Sequence, residues 1–133
     1  MKTICTRLRR GQDLLVEINN IARENHIKAG VVLSAVGCVL KAKVRDASGV
    51  TIREIPEEME IVSLMGTVSE ERTHLHVSFS KEDLSTVGGH LVEGCLINTT
   101  CELVIGILEG VEFVTEFDEE TGYDELMIGE YDA

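Results

Sequence analysis

Three of the four histidines fall within seventeen residues: His74 and His76 in Thr73-His74-Leu75-His76-Val77, and His90 directly after Gly88-Gly89. Neutral imidazole is the commonest metal ligand among side chains. The segment around His74 alternates apolar and polar residues, which predicts a strand, and residues two apart on a strand project from one face. His74 and His76 should then stand side by side, with Cα atoms about 7 Å apart. A third imidazole reaching them where the chain folds back would complete a three-nitrogen site. Such a donor set suits zinc, nickel or copper rather than magnesium or calcium, which prefer oxygen. Three protein ligands leave a fourth place open, and zinc in such a site brings the pKa of water down to about 7. The competing reading is a histidine cluster that hydrogen-bonds an anion or a neighbouring subunit. Arg72, Glu93 and Cys95 lie close by in sequence. A carboxylate there could orient an imidazole, and a guanidinium could hold a carboxylate or phosphate; each is otherwise an ordinary surface or core residue. Gly88-Gly89 reads as a tight turn, or as a backbone nest for an anion.

The elements that must position these residues are mostly strands. Thr3 to Leu8 reads as a strand. Asp13 then offers an N-cap, and Leu14, Leu15, Ile18, Ile21 and Ala22 recur at helical spacing through about Asn25. Arg7 and Asp13 could pair as ions near this helix start, and His26 falls at its end. Strands follow over Val31–Val39, with a bulge expected at Gly37, and over Leu40–Asp46. Ala47-Ser48-Gly49 makes a turn into a strand at Val50–Ile55, which Pro56 ends. Met59–Val68, Arg72–Ser80, Cys95–Leu108 and Val111–Phe117 complete the strands. Ser85 to Gly94 reads as irregular or a short helical turn. Residues 118–133 read as an acidic, turn-rich tail packing through Tyr123, Leu126 and Ile128. One helix against seven or so strands in hairpin order predicts an α+β fold, a single domain over residues 1–133 with a mostly antiparallel sheet. Val31–Val39 and Cys95–Leu108 are apolar on both faces, and one helix cannot cover both faces of a large sheet. Association with further copies of the chain is the expected remedy.

Composition bounds the function. The net charge is −12, all twelve Lys and Arg lie at or before Lys81, and residues 82–133 carry fourteen acids. That balance repels phosphate backbones, since nucleic-acid affinity depends on Lys and Arg. The acidic half reads as a solvated face or as a docking surface for a basic partner. No apolar run follows the four cations of residues 1–10, and the longest apolar stretch, Val31–Leu40, is too short to span a bilayer. Cys5, Cys38, Cys95 and Cys101 form no C-x-x-C pair, and Cys38, Cys95 and Cys101 sit in apolar segments. A cytoplasmic protein with reduced cysteines and no membrane partner is expected.

Several motifs together carry a resemblance. They are Arg7-Leu8 with Gly11-x-Asp13-Leu14, Ala29-Gly30-Val31-Val32-Leu33-Ser34-Ala35-Val36-Gly37 and Glu60-Ile61-Val62-Ser63-Leu64-Met65-Gly66-Thr67. They continue with His74-Leu75-His76-Val77-Ser78, Gly88-Gly89-His90-Leu91-x-x-Gly94-Cys95, Thr99-Thr100-Cys101-Glu102 and Thr121-Gly122-Tyr123-x-x-Leu126. In this order, over nearly the whole chain, they resemble the plants and prokaryotes conserved (PPC) domain in its stand-alone prokaryotic form. The resemblance implies an α+β homotrimer in which His74, His76 and His90 hold a divalent metal, often zinc. In plant members the domain follows an AT-hook that binds the DNA minor groove. This sequence carries no Arg-Gly-Arg-Pro segment, and its single proline is Pro56. The resemblance implies no particular reaction.

Overall fold

The computed structural model describes residues 1–131. It contains β1 (Lys2–Arg9), α1 (Leu14–Glu24), β2 (Gly30–Arg45), β3 (Ile52–Ile55), β4 (Met59–Val68), β5 (Thr73–Ser80), β6 (Thr86–Leu91), β7 (Leu96–Ile107), β8 (Val111–Asp118) and β9 (Tyr123–Glu130). Every pairing among these strands is antiparallel. The α+β expectation holds, with a short helix and a dominant sheet.

The helix starts where its sequence says it should. Asp13 has extended backbone angles and accepts from the Val16 N–H at 3.1 Å through Oδ1. Its other oxygen, Oδ2, accepts from the Gly94 N–H at 2.7 Å. One carboxylate therefore caps α1 and ties it to the turn that follows β6. The expected Arg7–Asp13 ion pair is not formed, because both Asp13 oxygens are turned to backbone donors and Arg7 is exposed. Leu14, Ile18 and Ala22 recur on one face of α1 and are fully buried. At the helix end Asn25 bonds back to Ile21, and His26 follows with a positive φ of 49° and a side chain turned to solvent near Glu70.

The main sheet runs β1-β7-β2-β4-β5-β6, with β3 on β2 and a further pairing of β6 with β2. The β2–β4, β4–β5, β5–β6 and β6–β2 ladders thus form a closed circuit. The long strand β2 makes this closure possible. Val31–Val39 and Leu40–Asp46 were expected as two strands and instead run as one, with register shifts at Val32/Ser34, Gly37/Cys38 and Val39/Lys41. Bulges bend and twist a strand, which lets β2 meet β4 along its first half and β6 at its end. Leu64, Leu75, Val77, Phe79, Leu91, Ile97 and Leu103 are buried on the inner face in one core cluster with Leu14, Ile18 and Ala22 of α1. The outer face of β2 and β4 leaves Leu33, Val36, Val62 and Met65 exposed.

Two further expectations are corrected. Ser85–Gly94 is not helical or irregular, because Thr86–Leu91 forms β6 between β5 and β2. Gly88 and Gly89 lie in this strand rather than in a turn. A Cβ at Gly88 would overlap the Val77 carbonyl oxygen, and one at Gly89 would stand 2.6 Å from the Arg45 carbonyl oxygen. The missing side chains let β6 lie close to both neighbours. Residues 118–131 are not a loose tail, since β9 pairs along its whole length with β8. The last two residues of the predicted tail lie outside the described ones. Leu126 is half-buried, whereas Tyr123 and Ile128 remain exposed, so the hairpin is anchored elsewhere. Phe113 is buried, its N–H donates to the Lys28 carbonyl at 2.9 Å, and Lys28 Nζ lies 5.4 Å from the Tyr131 ring centroid.

Candidate metal centre

Strand alternation builds the site. On β5, Leu75, Val77 and Phe79 point into the core, which turns His74 and His76 to the opposite face. The β5–β6 register sets His76 opposite His90, and the β2–β6 register sets Arg45 opposite His90. Directly paired residues of antiparallel strands share a face. Arg45, His90 and His76 therefore form a row across three strands, with His74 two residues along β5. The ring centroids are 5.2 Å (His74–His76), 5.3 Å (His74–His90) and 5.7 Å (His76–His90) apart.

One ring nitrogen from each histidine lies within 4.8 Å of the other two. Nitrogens bound tetrahedrally to zinc at 2.0–2.1 Å stand about 3.3 Å from one another, so small side-chain rotations close the gap. Nδ1 of His90 is buried and has no hydrogen-bond partner among the described residues, as suits a nitrogen whose lone pair is open to an ion. Burial, and then the positive charge of Arg45, hold the His90 pKa down at about 4. Burial, then Arg72 and His76, lower that of His74, while Glu125 acts the other way. Both rings are neutral at pH 7, the form that binds metal. The residues present fit a divalent transition metal.

Of the three flanking groups suggested by sequence, one reaches the site. Arg72 Nη2 lies 3.4 Å from His74 Nδ1. Glu93 is exposed on the turn after β6. Cys95 is buried, its Sγ donates to the Lys43 carbonyl at 3.2 Å, and burial raises its pKa to about 11, so it is packed and unreactive. Two groups were missed. Arg45 lines two cavities that meet at His90, one of about 560 Å³ and one of about 380 Å³. Tyr123, Asp124 and Glu125 of β9 line the smaller one. The alternation Lys41-x-Lys43-x-Arg45 marks Arg45 as sharing a face with those lysines, but only the β2–β6 register brings it to His90.

A curled antiparallel sheet with one helix carries an outward cluster of three histidines that could hold a metal ion, and comparison with known proteins gives its family. Residues 1–109 match the model of the Plants and Prokaryotes Conserved (PCC) domain, and the chain belongs to that family. It is 39% identical over 128 residues to the bifunctional protein GlmU of Synechococcus sp. (strain JA-2-3B'a(2-13)), which aligns 96% of this chain but spans only 20% of the relative's length. A hypothetical protein of Salmonella cholerae-suis superposes with a TM-score of 0.94 at 29% identity, covering 97% of this chain and 94% of that one. A metal-containing protein of Archaeoglobus fulgidus gives a TM-score of 0.80 at 30% identity, covering 96% and 94%. A protein of Bacteroides thetaiotaomicron, named as a candidate DNA-binding protein, gives 0.83 at 20% identity over 94% and 91%, a likeness of fold alone. No helix among the described residues is long and apolar enough to cross a membrane.

Proposed function

We propose that this PCC-family protein is a cytoplasmic homotrimer that holds one divalent transition metal ion, zinc by preference, through His74, His76 and His90, with an open side for a small ligand. The observation that carries this reading is the convergence of three imidazole nitrogens within 4.8 Å of one another on an outward face. The likeness to a metal-containing protein of the same fold supports it. Zinc, when bound, would supply a Lewis acid able to polarise an oxygen of a ligand. The protein's own part is to keep two of the imidazoles neutral and to line the approach with Arg45, Arg72 and the β9 acids. The trimer is supported by the outer face of β2 and β4, where Val36 is 58% and Met65 67% exposed while α1 covers only the inner face. Contiguous apolar surface of this kind marks association sites.

Elemental analysis after zinc loading tests the metal. The expected content is one ion per chain, and His74→Ala, His76→Ala and His90→Ala should each lower affinity by at least an order of magnitude. A metal content near zero in the unaltered protein rejects the proposal.

A second reading, a DNA-associated regulator, draws on the plant AT-hook members and on the name of the Bacteroides relative. The net charge of −12, the absence of any Lys or Arg after Lys81 and the absence of an Arg-Gly-Arg-Pro segment weigh against it. A salt-dependent mobility shift of duplex DNA at micromolar protein would favour it.

A further inference from the structure

We infer that the pocket beside the histidines is a receptor for a small oxyanion, a carboxylate or a phosphate, anchored by Arg45 with Arg72 beside it. The inference deepens the metal-site reading and rests on it for the placing of the ligand next to the ion. Arg45 Nε is buried and has no hydrogen-bond partner among the described residues. Neither Arg45 nor Arg72 takes part in any of the four ion pairs found among those residues. Arg45 differs from the chain's other unpaired cations in that its Nε is buried, and it shares a cavity with a second guanidinium, that of Arg72. A buried guanidinium N–H left unpaired costs free energy, and an oxyanion is the partner that its planar donor fork fits best.

The cavity also limits what the ligand can be. Arg45, Arg72, His74 and His90 line the space of about 380 Å³ together with Asp124 and Glu125. The two carboxylates repel a polyanion, so a single anionic group is favoured over a nucleic acid or polyphosphate. The end of the ligand that faces Asp124 and Glu125 carries hydrogen-bond donors, hydroxyl or amine. The 3.4 Å approach of Arg72 to His74 places this guanidinium against a candidate metal ligand, so an anion held by it would sit beside the ion. The volume fits a metabolite of modest size rather than a macromolecule.

The test is a titration of the zinc-loaded and metal-free protein with inorganic phosphate and, separately, with acetate, followed by amide chemical shifts and calorimetry. The expected result is saturable binding of one of the two, with shifts confined to the neighbourhood of Arg45, Arg72, His74 and His90; which anion saturates identifies the chemistry. Arg45→Gln keeps most of the side-chain bulk and removes the charge. It should weaken anion binding by roughly ten-fold or more when compared with the unaltered protein at matched zinc content. Should that variant fail to fold, Arg72→Gln should likewise weaken anion binding at matched zinc content. Zinc loading without binding of either anion, or wild-type anion affinity in the folded arginine variants, overturns the proposal and leaves the metal site standing. Saturable anion binding in a protein that never takes up zinc sustains the anion site and rejects the metal.

Discussion

At the scale of single residues, His74 and His90 are neutral for a physical reason: desolvation lowers both pKa values and, at His74, outweighs the nearby Glu125 that would favour protonation. Asp46 shows the opposite case at the rim of the same cavity. Hydrogen bonds from Ser48 and then from Arg53 hold its pKa down from 3.8 to about 2. A carboxyl whose folded pKa is depressed stabilises the fold above its unfolded pKa and loses that contribution as pH falls towards the folded value. The difference in unfolding free energy between wild type and Asp46→Asn should therefore be constant near neutrality and shrink as pH falls through the window from 3.8 to about 2. Denaturation series at several pH values check it; a difference that grows on acidification contradicts the assignment.

At the scale of elements, Asp13 decides how α1 meets the sheet. Asparagine is as good an N-cap as aspartate. Asp13 also accepts from Gly94 N–H with its second oxygen, and an amide can offer only one acceptor to these two donors. Asp13→Asn should thus cost about 1–3 kcal/mol, where a simple cap would lose almost nothing. Urea denaturation measures it, and a change below ~0.5 kcal/mol would show that the second bond is of no consequence.

The same helix shows what was legible in the sequence. Cap, apolar spacing and end of α1 are all local signals, and they are where the periodicity puts them. The alternation around His74 likewise reports β5 and the shared face of His74 and His76. What could not be read is register. Gly88-Gly89 looks like a turn because glycine weakens strand patterns, whereas here it permits close approach of β5, β6 and β2. The place of Arg45 opposite His90 and the arrival of β9 at the cavity depend on pairings between distant segments, which no local pattern encodes.

At the scale of the whole molecule, the unfilled feature is the outer face of β2 and β4. The inner face is covered by α1, and the outer one presents Leu33, Val36, Val62 and Met65 beside His76. In the proposed trimer this face is covered by a neighbouring copy. Sedimentation equilibrium should give three times the chain mass of 14.6 kDa, and Val36→Asp should shift the protein towards the monomer. A monomer in the wild type would show that the face serves something else. The chain also aligns to one fifth of the length of a longer relative.

The measurement that bears most directly on the account is X-ray diffraction from zinc-loaded crystals, recorded on both sides of the zinc absorption edge. The account predicts one anomalous peak per chain, within bonding distance of His74, His76 and His90, at about 2.0–2.1 Å from a ring nitrogen of each. A zinc-loaded crystal with no peak among these three rings, or with its ion held by other residues, would contradict it.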